Sequence, residues 1–343
     1  MIHRSKAPFR LGIAGGGTDL SPYTDIYGGA ILNVTVNLYA YATLRPLNNG
    51  KVRFIHASGI TEELDAIAEL PVEGELLLQK GVYNSIVRKY NKGQPLSFEL
   101  TTSMDVPTGS GLGTSSTLVV AILGAFTEWL RLPLGEYDIA HYAYEIERID
   151  LGMAGGRQDQ YAATFGGVNF MEFQQDDKVI VNPLRIRQEI LKEWAFSTVL
   201  YYTSQQRSSG VIIEEQQQNV RDRRSESLEA MHNVKKEAYR MKNCLLRNEL
   251  HELGKSLNVS WNNKKKMAHQ ISNPKIDLIY ETAVKNGALG GKISGAGGGG
   301  YLFFYCPGIS RYAVINALNA LEMGSVQHMD FSKQGLYTWT TQE

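Results

Sequence analysis

The stretch Val106–Phe126, VPTGSGLGTSSTLVVAILGAF, sets three glycines at alternate positions, then four hydroxyl residues, then an apolar run. It follows LSFELTTSM (Leu96–Met104), whose alternation predicts a strand, and Thr117–Leu130 reads as a helix. Strand, glycine loop and helix together suit a phosphate. The first four N–H groups of a helix have no partner inside it, and they carry about half a positive charge. Gly109, Gly111 and Gly113 let the backbone bring such groups close to a bulky anion. The hydroxyls of Thr114, Ser115, Ser116 and Thr117 can cap the helix, meet phosphate oxygens or reach a metal. Taken alone, the stretch also fits a glycine-rich turn with a Ser/Thr cap.

The spacing excludes two common phosphate loops. No lysine follows Gly113, as a P-loop requires, and the pattern is G-x-G-x-G rather than the dinucleotide G-x-G-x-x-G. Two further glycine loops lie far away in the chain. GIAGGGTDL (Gly12–Leu20) carries three consecutive glycines and a carboxylate. SGAGGGGY (Ser294–Tyr301) sits between two apolar strand-like segments, which argues against a solvated linker. Three such loops suggest convergence on one ligand.

The rest of the chain frames these loops. Its 343 residues predict one large or two medium domains. Lys plus Arg and Asp plus Glu number 35 each, so no global field draws the protein to nucleic acid or an anionic membrane. A local cluster remains compatible with that balance. Two cysteines, Cys244 and Cys306, are too few for a disulfide framework and suit a reducing compartment. The N-terminus lacks the apolar core of a secretory signal. The apolar run Leu118–Phe126 is about half the length that spans a bilayer. A cytoplasmic protein is expected. Strands are expected within Ile31–Leu47, Lys51–Ser58, Gly166–Phe173 and Phe196–Thr203, and helices over Gln79–Tyr90, Gly135–Gly152, Asn273–Gly287 and Ser310–Leu321. Gly210–Trp261 is a long helical zone, and two short strands finish the chain. The polar run Gln174–Asn182 before Pro183 reads as a turn near a domain boundary. The fold class is α+β, with domains over 1–182 and 183–343.

With these motifs together, the chain resembles the GHMP small-molecule kinase superfamily over nearly its whole length. PTGSGLGTSS corresponds to that family's ATP-phosphate loop and SGAGGGGY to its C-terminal glycine loop. APFRLGIAGGGTDL with AGGRQDQYAATFGG (Ala154–Gly167) is most similar to the D-glycero-D-manno-heptose 7-phosphate kinases, with fucokinases also similar. The resemblance implies an N-terminal domain like ribosomal protein S5 domain 2 and a ferredoxin-like C-terminal domain, with the active site between them. It implies ATP and Mg2+ as cofactors. It also implies phosphorylation of the anomeric C1 hydroxyl of a heptose 7-phosphate, for nucleotide-heptose and surface-glycan biosynthesis.

The family's residues carry over as follows. Pro107, Gly109, Ser110, Gly111, Leu112, Gly113, Thr114, Ser115 and Ser116, with Gly295, Gly297 and Gly298, correspond to the nucleotide loops. Asp159 matches the catalytic aspartate, with Arg10 beside the reacting hydroxyl. Glu147 matches the magnesium glutamate, with Ser115 or Ser116 as its companion; Glu145 stands two residues away on another helix face. Asp19, with Gly17 and Thr18, belongs to the sugar pocket. A phosphorylated sugar also needs a cationic clamp away from the reacting end, for which Arg157, Lys6 and Arg207 are candidates. Lys292 could approach nucleotide phosphates, whereas Lys264–Lys266 reads as a solvated face and His141 as structural. The expected partner is a small sugar phosphate, with no nucleic acid and no membrane, and self-association into a homo-oligomer is left open. Competing readings are another sugar 1-kinase such as a fucokinase, and a non-catalytic sugar or nucleotide sensor on the same fold. A nicotinamide-dependent oxidoreductase has the wrong glycine spacing.

Overall fold

The first sheet is organised by two long antiparallel strands, β1 (Ile2–Ala14) and β2 (Gly29–Pro46), with the short helix α1 (Tyr23–Tyr27) between them. This computed structural model describes residues 1–175, 177–205 and 209–342. The edge of β2 away from β1 is shared. Its second half pairs with β5 (Phe98–Met104) and its first half with β6 (Val168–Phe173). Beyond β5 lie β3 (Lys51–His56), parallel to it, and β4 (Thr61–Asp65). The helices α2 (Leu77–Tyr90), α3 (Thr114–Leu130), α4 (Glu136–Tyr144) and α5 (Gln158–Phe165) complete this part of the fold. α3 is apolar nearly all round, and Thr117–Phe126 is buried throughout, so it runs through the core rather than along the surface.

The second sheet is wholly antiparallel, in the order β11 (Ser325–Gln327), β8 (Thr198–Tyr202), β10 (Tyr301–Tyr305), β9 (Gly290–Ile293). Five helices accompany it: α7 (Ser209–Arg221), α8 (Ser225–Leu246), α9 (Leu250–Lys264), α10 (Pro274–Lys285) and α11 (Ser310–Asn319). The helical zone expected over Gly210–Trp261 is thus three helices rather than one. Among the described residues, no helix is long and apolar enough to cross a membrane.

Three expectations change. Gln174–Asn182 is not all turn. Gln174 N–H donates to Lys178 C=O at 2.8 Å, and the β-branched Val179, Ile180 and Val181 form β7 (Val179–Pro183), antiparallel to β6. The helix expected over Gly135–Gly152 is α4 followed by a π-helical turn, Glu145–Asp150. The third change concerns the boundary near residue 182. After α6 (Gln188–Phe196) the chain enters the second sheet, but the last strand, β12 (Tyr337–Thr341), returns to pair with β1. The segment 183–343 is therefore not one unit. Its end belongs to the first sheet, and both ends of the chain meet there.

Candidate active site

All three glycine loops border one cleft, whose space of about 990 Å³ is partly open to solvent. The first loop contributes Gly16 and Gly17, the second Gly109, Gly111 and Gly113, and the third Gly295, Gly297 and Gly299. Their close packing explains the glycines. Gly111 has φ +83°, and a Cβ there would lie 2.5 Å from the Ser294 carbonyl oxygen. Gly295 has φ +74° and faces the Gly111 backbone in return. Tyr301 N–H donates to Ser110 C=O at 2.9 Å, so the third loop is tied to the second by main chain.

The second loop feeds α3 through Gly113, a left-handed N-cap with φ 78°, and no side chain caps the helix. Gly109 N–H donates to Thr114 Oγ1 at 3.3 Å, which steadies the curl. Ser115 lines the cleft. Ser110 and Leu112 are buried behind the loop as supports, and Leu112 C=O accepts from Arg10 N–H at 3.3 Å. Gly298 N–H is taken by Ile271 C=O at 2.9 Å, and neither Gly298 nor Pro107 borders the cleft.

Arg10 reaches the cleft from β1, where the pairing with β2 shifts register between Pro8 and Arg10. Such irregularities re-aim a side chain. The Arg10 guanidinium is buried and holds Asp159 Oδ1 at 2.7 Å through both Nε and a terminal nitrogen. It also donates to Gly111 C=O at 2.7 Å and to Ser294 Oγ at 3.3 Å, so it bolts together residues from four separate segments. Asp159 stands in the first turn of α5, and its Oδ2 lies 3.0 Å from where a Cβ on Gly113 would be. One carboxylate oxygen is thereby fixed by Arg10, and the other is turned toward the start of α3.

Asp19 is buried. Its Oδ2 accepts from Arg157 N–H at 2.9 Å and Gln158 N–H at 3.1 Å, and its Oδ1 accepts from Gln158 Nε2 at 3.2 Å. A Cβ on Gly156 would overlap this carboxylate, so the glycine permits the docking. Burial pushes the Asp19 carboxyl up, the Gln158 backbone N–H opposes this, and the Asp159 charge adds to the rise. Thr18 does not border the cleft. Its hydroxyl donates to Gly15 C=O at 2.8 Å and accepts from Ala30 N–H at 3.1 Å, which shapes the first loop from behind.

Glu147 lies in the π-helical turn and is fully buried. Gln160 Nε2 bridges its Oε2, at 2.5 Å, to Ser116 Oγ, at 3.1 Å. Its Oε1 has no hydrogen-bond partner, and Arg148 stands 3.7 Å from it while also lining the cleft. Neither Glu147 nor Ser116 borders the cleft, whereas Ser115 does; a carboxylate with a neighbouring serine is the hard oxygen donor set that would suit magnesium. Among the described residues, no cluster of three or more His, Cys, Asp or Glu side chains forms. Glu145 faces outward, paired with Lys89 at 2.6 Å and His141 at 3.7 Å. His141 is half-exposed beside Glu145 and does not border the cleft.

The clamp candidates need correction. Arg157 does not enter the cleft. Its backbone supports Asp19 while its guanidinium pairs with Asp177, approaches Asp25 at 3.9 Å and packs on the Tyr144 ring. Lys6 sits over the Tyr39 ring, outside the cleft. Arg207 lies outside the described residues. Lys264 overturns the reading of Lys264–Lys266 as a solvated face. Lys266 is exposed and Lys265 approaches Asp277 at 3.7 Å, but Lys264 is 3% exposed and lines the cleft. The signal was present: Lys264 extends the buried stripe Leu250, Leu253, Leu257, Trp261 of α9. Its ammonium is lowered to about 8, first by burial and then by Arg10, with Asp19 and Asp159 opposing. Lys292 donates to Gly12 C=O at 2.6 Å, and burial, followed by the charges of Lys264 and Arg10, drives its ammonium well down.

Three glycine loops bordering one cleft at the start of a helix, with an arginine-held aspartate in the same cleft, are compatible with phosphoryl transfer. The sequence comparisons agree. Residues 77–167 match the GHMP kinases N terminal domain and residues 241–322 the GHMP kinases C terminal domain. The chain is 48% identical over 337 residues to the D-glycero-alpha-D-manno-heptose 7-phosphate kinase of Campylobacter jejuni, covering 98% of each chain. The crystal structure of a D-glycero-D-manno-heptose 1-phosphate kinase from Bacteroides thetaiotaomicron superposes with a TM-score of 0.84 at 44% identity, covering 99% of this chain and all of that one. A putative sugar kinase from C. jejuni superposes with a TM-score of 0.81 at 47% identity, over 98% of each chain. The chain belongs to the GHMP kinase family and has its two-domain fold. It is a sugar kinase, with ATP as phosphate donor.

Proposed function

We propose that this kinase transfers the γ-phosphoryl group of ATP to the anomeric hydroxyl of D-glycero-D-manno-heptose 7-phosphate, forming the 1,7-bisphosphate. The observation that carries the reading is the charge of the cleft. Among the described residues, Arg10, Arg148, Lys264 and Lys292 line it against Asp19 and Asp159, in a chain whose formal charges cancel. Such a local excess suits two anionic ligands, a nucleotide and a phosphorylated acceptor. The full-length relative named for heptose 7-phosphate supports the choice of sugar.

In this reading the second loop and the start of α3 receive the nucleotide phosphates. Asp159 Oδ2 accepts the hydrogen bond of the reacting hydroxyl and takes its proton. The hydroxyl oxygen bonds to the γ-phosphorus as the bond to the β,γ-bridging oxygen breaks and ADP leaves. Arg10 keeps Asp159 in position and offsets charge spreading over the transferred group. Mg2+ would be held by Glu147 with Ser115 or Ser116, and would neutralise phosphate charge. Asp19 and Gly17 would shape the acceptor end. Residues 1–182 would form the nucleotide and acceptor domain with β12 added to its sheet, and the protein would work in the cytoplasm.

A second reading comes from the relative named a heptose 1-phosphate kinase, in which the acceptor already carries its phosphate at C1. One experiment separates the two. Purified protein with magnesium-ATP is offered heptose 7-phosphate, heptose 1-phosphate, fucose, galactose, mannose, homoserine and mevalonate, and the products are followed by phosphorus NMR. A new anomeric phosphate on heptose 7-phosphate alone is expected. Turnover of heptose 1-phosphate alone would replace the proposal by the second reading. Turnover of fucose or another free sugar would discard the phosphorylated acceptor, and no turnover of any of these would overturn the proposed acceptor in favour of an untested one or of the sensor reading.

A further inference from the structure

We propose that the Lys264 ammonium is the clamp for the acceptor's own phosphate, and so decides for a phosphorylated over an unphosphorylated sugar. The inference rests on the reading of the acceptor as a sugar phosphate.

Elimination and position both lead to this residue. Of the other cations bordering the cleft, Arg10 is committed to Asp159, Gly111 and Ser294. Arg148 is committed to Glu147, Ser116 and the Gly156 carbonyl, and Lys292 both to the Gly12 carbonyl and to the face of the Phe303 ring. Lys264 donates to Gly295 C=O at 2.5 Å. An ammonium has three donors, and among the described residues no carboxylate lies within ion-pair distance of this one. Its Nζ also stands 3.6 Å from where a Cβ on Gly16 would be, so it lies against the first loop. That is the loop of Asp19, so Lys264 stands between the first loop and the Gly295 carbonyl of the third. Next to it, Gly17 faces Gln216 and Met267.

A buried ammonium without a counter-ion is costly, and a phosphate dianion supplies the missing charge. Free enzyme therefore holds a buried ammonium with no carboxylate in ion-pair contact, a positive surplus that a sugar phosphate relieves and a free sugar does not.

The test compares wild type and Lys264→Met with magnesium-ATP and two acceptors, D-glycero-D-manno-heptose 7-phosphate and the unphosphorylated heptose. Loss of a charged hydrogen bond should raise KM for the phosphorylated acceptor by about 10- to 100-fold. kcat should change by less than about threefold, because this contact is made equally in ground and transition states. KM for the phosphorylated acceptor should rise by a clearly larger factor than KM for ATP or for the free heptose, since loss of the Gly295 contact alone would act on all three alike. If wild type prefers the phosphorylated acceptor and the variant keeps that preference, Lys264 is not the clamp. A rise in KM for ATP instead would assign Lys264 to the nucleotide and overturn the inference. No preference in wild type would sink this inference and the proposed acceptor together, a failure visible without any variant. A second measurement is independent of the variant's folding: inorganic phosphate should inhibit wild type competitively against heptose 7-phosphate. Competition against ATP alone would count against the clamp.

Discussion

The two sides of the cleft are built from different materials. The side we propose for the nucleotide is mostly backbone: Gly111 and Gly295 press main chain on main chain, and Tyr301 N–H ties to Ser110 C=O. The side we propose for the acceptor is mostly charged side chains: Asp19, Asp159, Arg10, Lys264 and Lys292, each fixed by main-chain or side-chain partners. The difference matches what each side must recognise. A triphosphate is bound through N–H groups that every residue carries, so the constraint falls on conformation and on the absence of side chains. A sugar with its own phosphate must be distinguished from similar sugars, which takes particular side chains at particular places.

The largest expected effect lies where the two sides meet. Asp159→Asn keeps the shape but removes the proton acceptor and the partner of Arg10. Turnover should fall by about two to four orders of magnitude. Binding of a fluorescent ATP analogue should be kept, because the nucleotide side is untouched. Unchanged turnover would remove Asp159 from the chemistry, and lost nucleotide binding would show that the two sides are not separable.

The nucleotide side should break through its backbone. At Gly111 a side chain meets the Ser294 carbonyl and a left-handed φ at once. Gly111→Ala should separate the second and third loops, raising KM for ATP by about tenfold or more, since strained left-handed residues cost roughly 1–2 kcal/mol before any clash. KM for the acceptor should move less. Equal rises in both would mean that the loops support the whole cleft rather than the nucleotide half.

The acceptor side should break through charge. Lys264 titrates near 8 in the free enzyme, lowered by burial and by Arg10. Arg10, Lys292, Asp19 and Asp159 are the charged groups that surround it. Below that value the ammonium is charged, and above it the clamp is neutral. A phosphate monoester, with a second ionisation near about 6, is a dianion throughout this window. kcat/KM for the acceptor should therefore fall about tenfold per pH unit above pH 8, and Lys264→Met should lose this limb. A limb retained by the variant would belong to another group.

The same contrast explains what could be read from the chain. All three glycine loops were legible, because left-handed φ and close backbone approach leave glycine nearly alone, and the order of the motifs pointed to Arg10, Asp19, Glu147 and Asp159. Lys264 was not, because three consecutive lysines look solvated and only the helical phase of α9 distinguishes the first. The π-helical turn was hidden as well. EIERID continues the pattern of α4, and what departs is the hydrogen bonding that brings Glu147 and Arg148 to one place. The return of β12 to β1 is a long-range pairing that no local pattern announces.

The smallest expected effect is also the sharpest test of the acceptor side. Arg157 lies two residues from Asp159 and would be a natural choice for the phosphate clamp by sequence alone. Its guanidinium, however, points to Asp177, Asp25 and Tyr144, and what it gives the cleft is a backbone N–H to Asp19. Arg157→Met keeps that N–H and much of the side-chain volume. Thermal stability should drop, since a buried, paired arginine is lost beside two carboxylates. KM for the phosphorylated acceptor should change by less than about threefold, within the range of a residue that makes no contact with ligand. If Arg157→Met instead raised that KM as far as Lys264→Met, the acceptor phosphate would lie on the Asp25 side of the first loop. Main-chain hydrogen bonds to Asp19 would then be the link between clamp and reacting end.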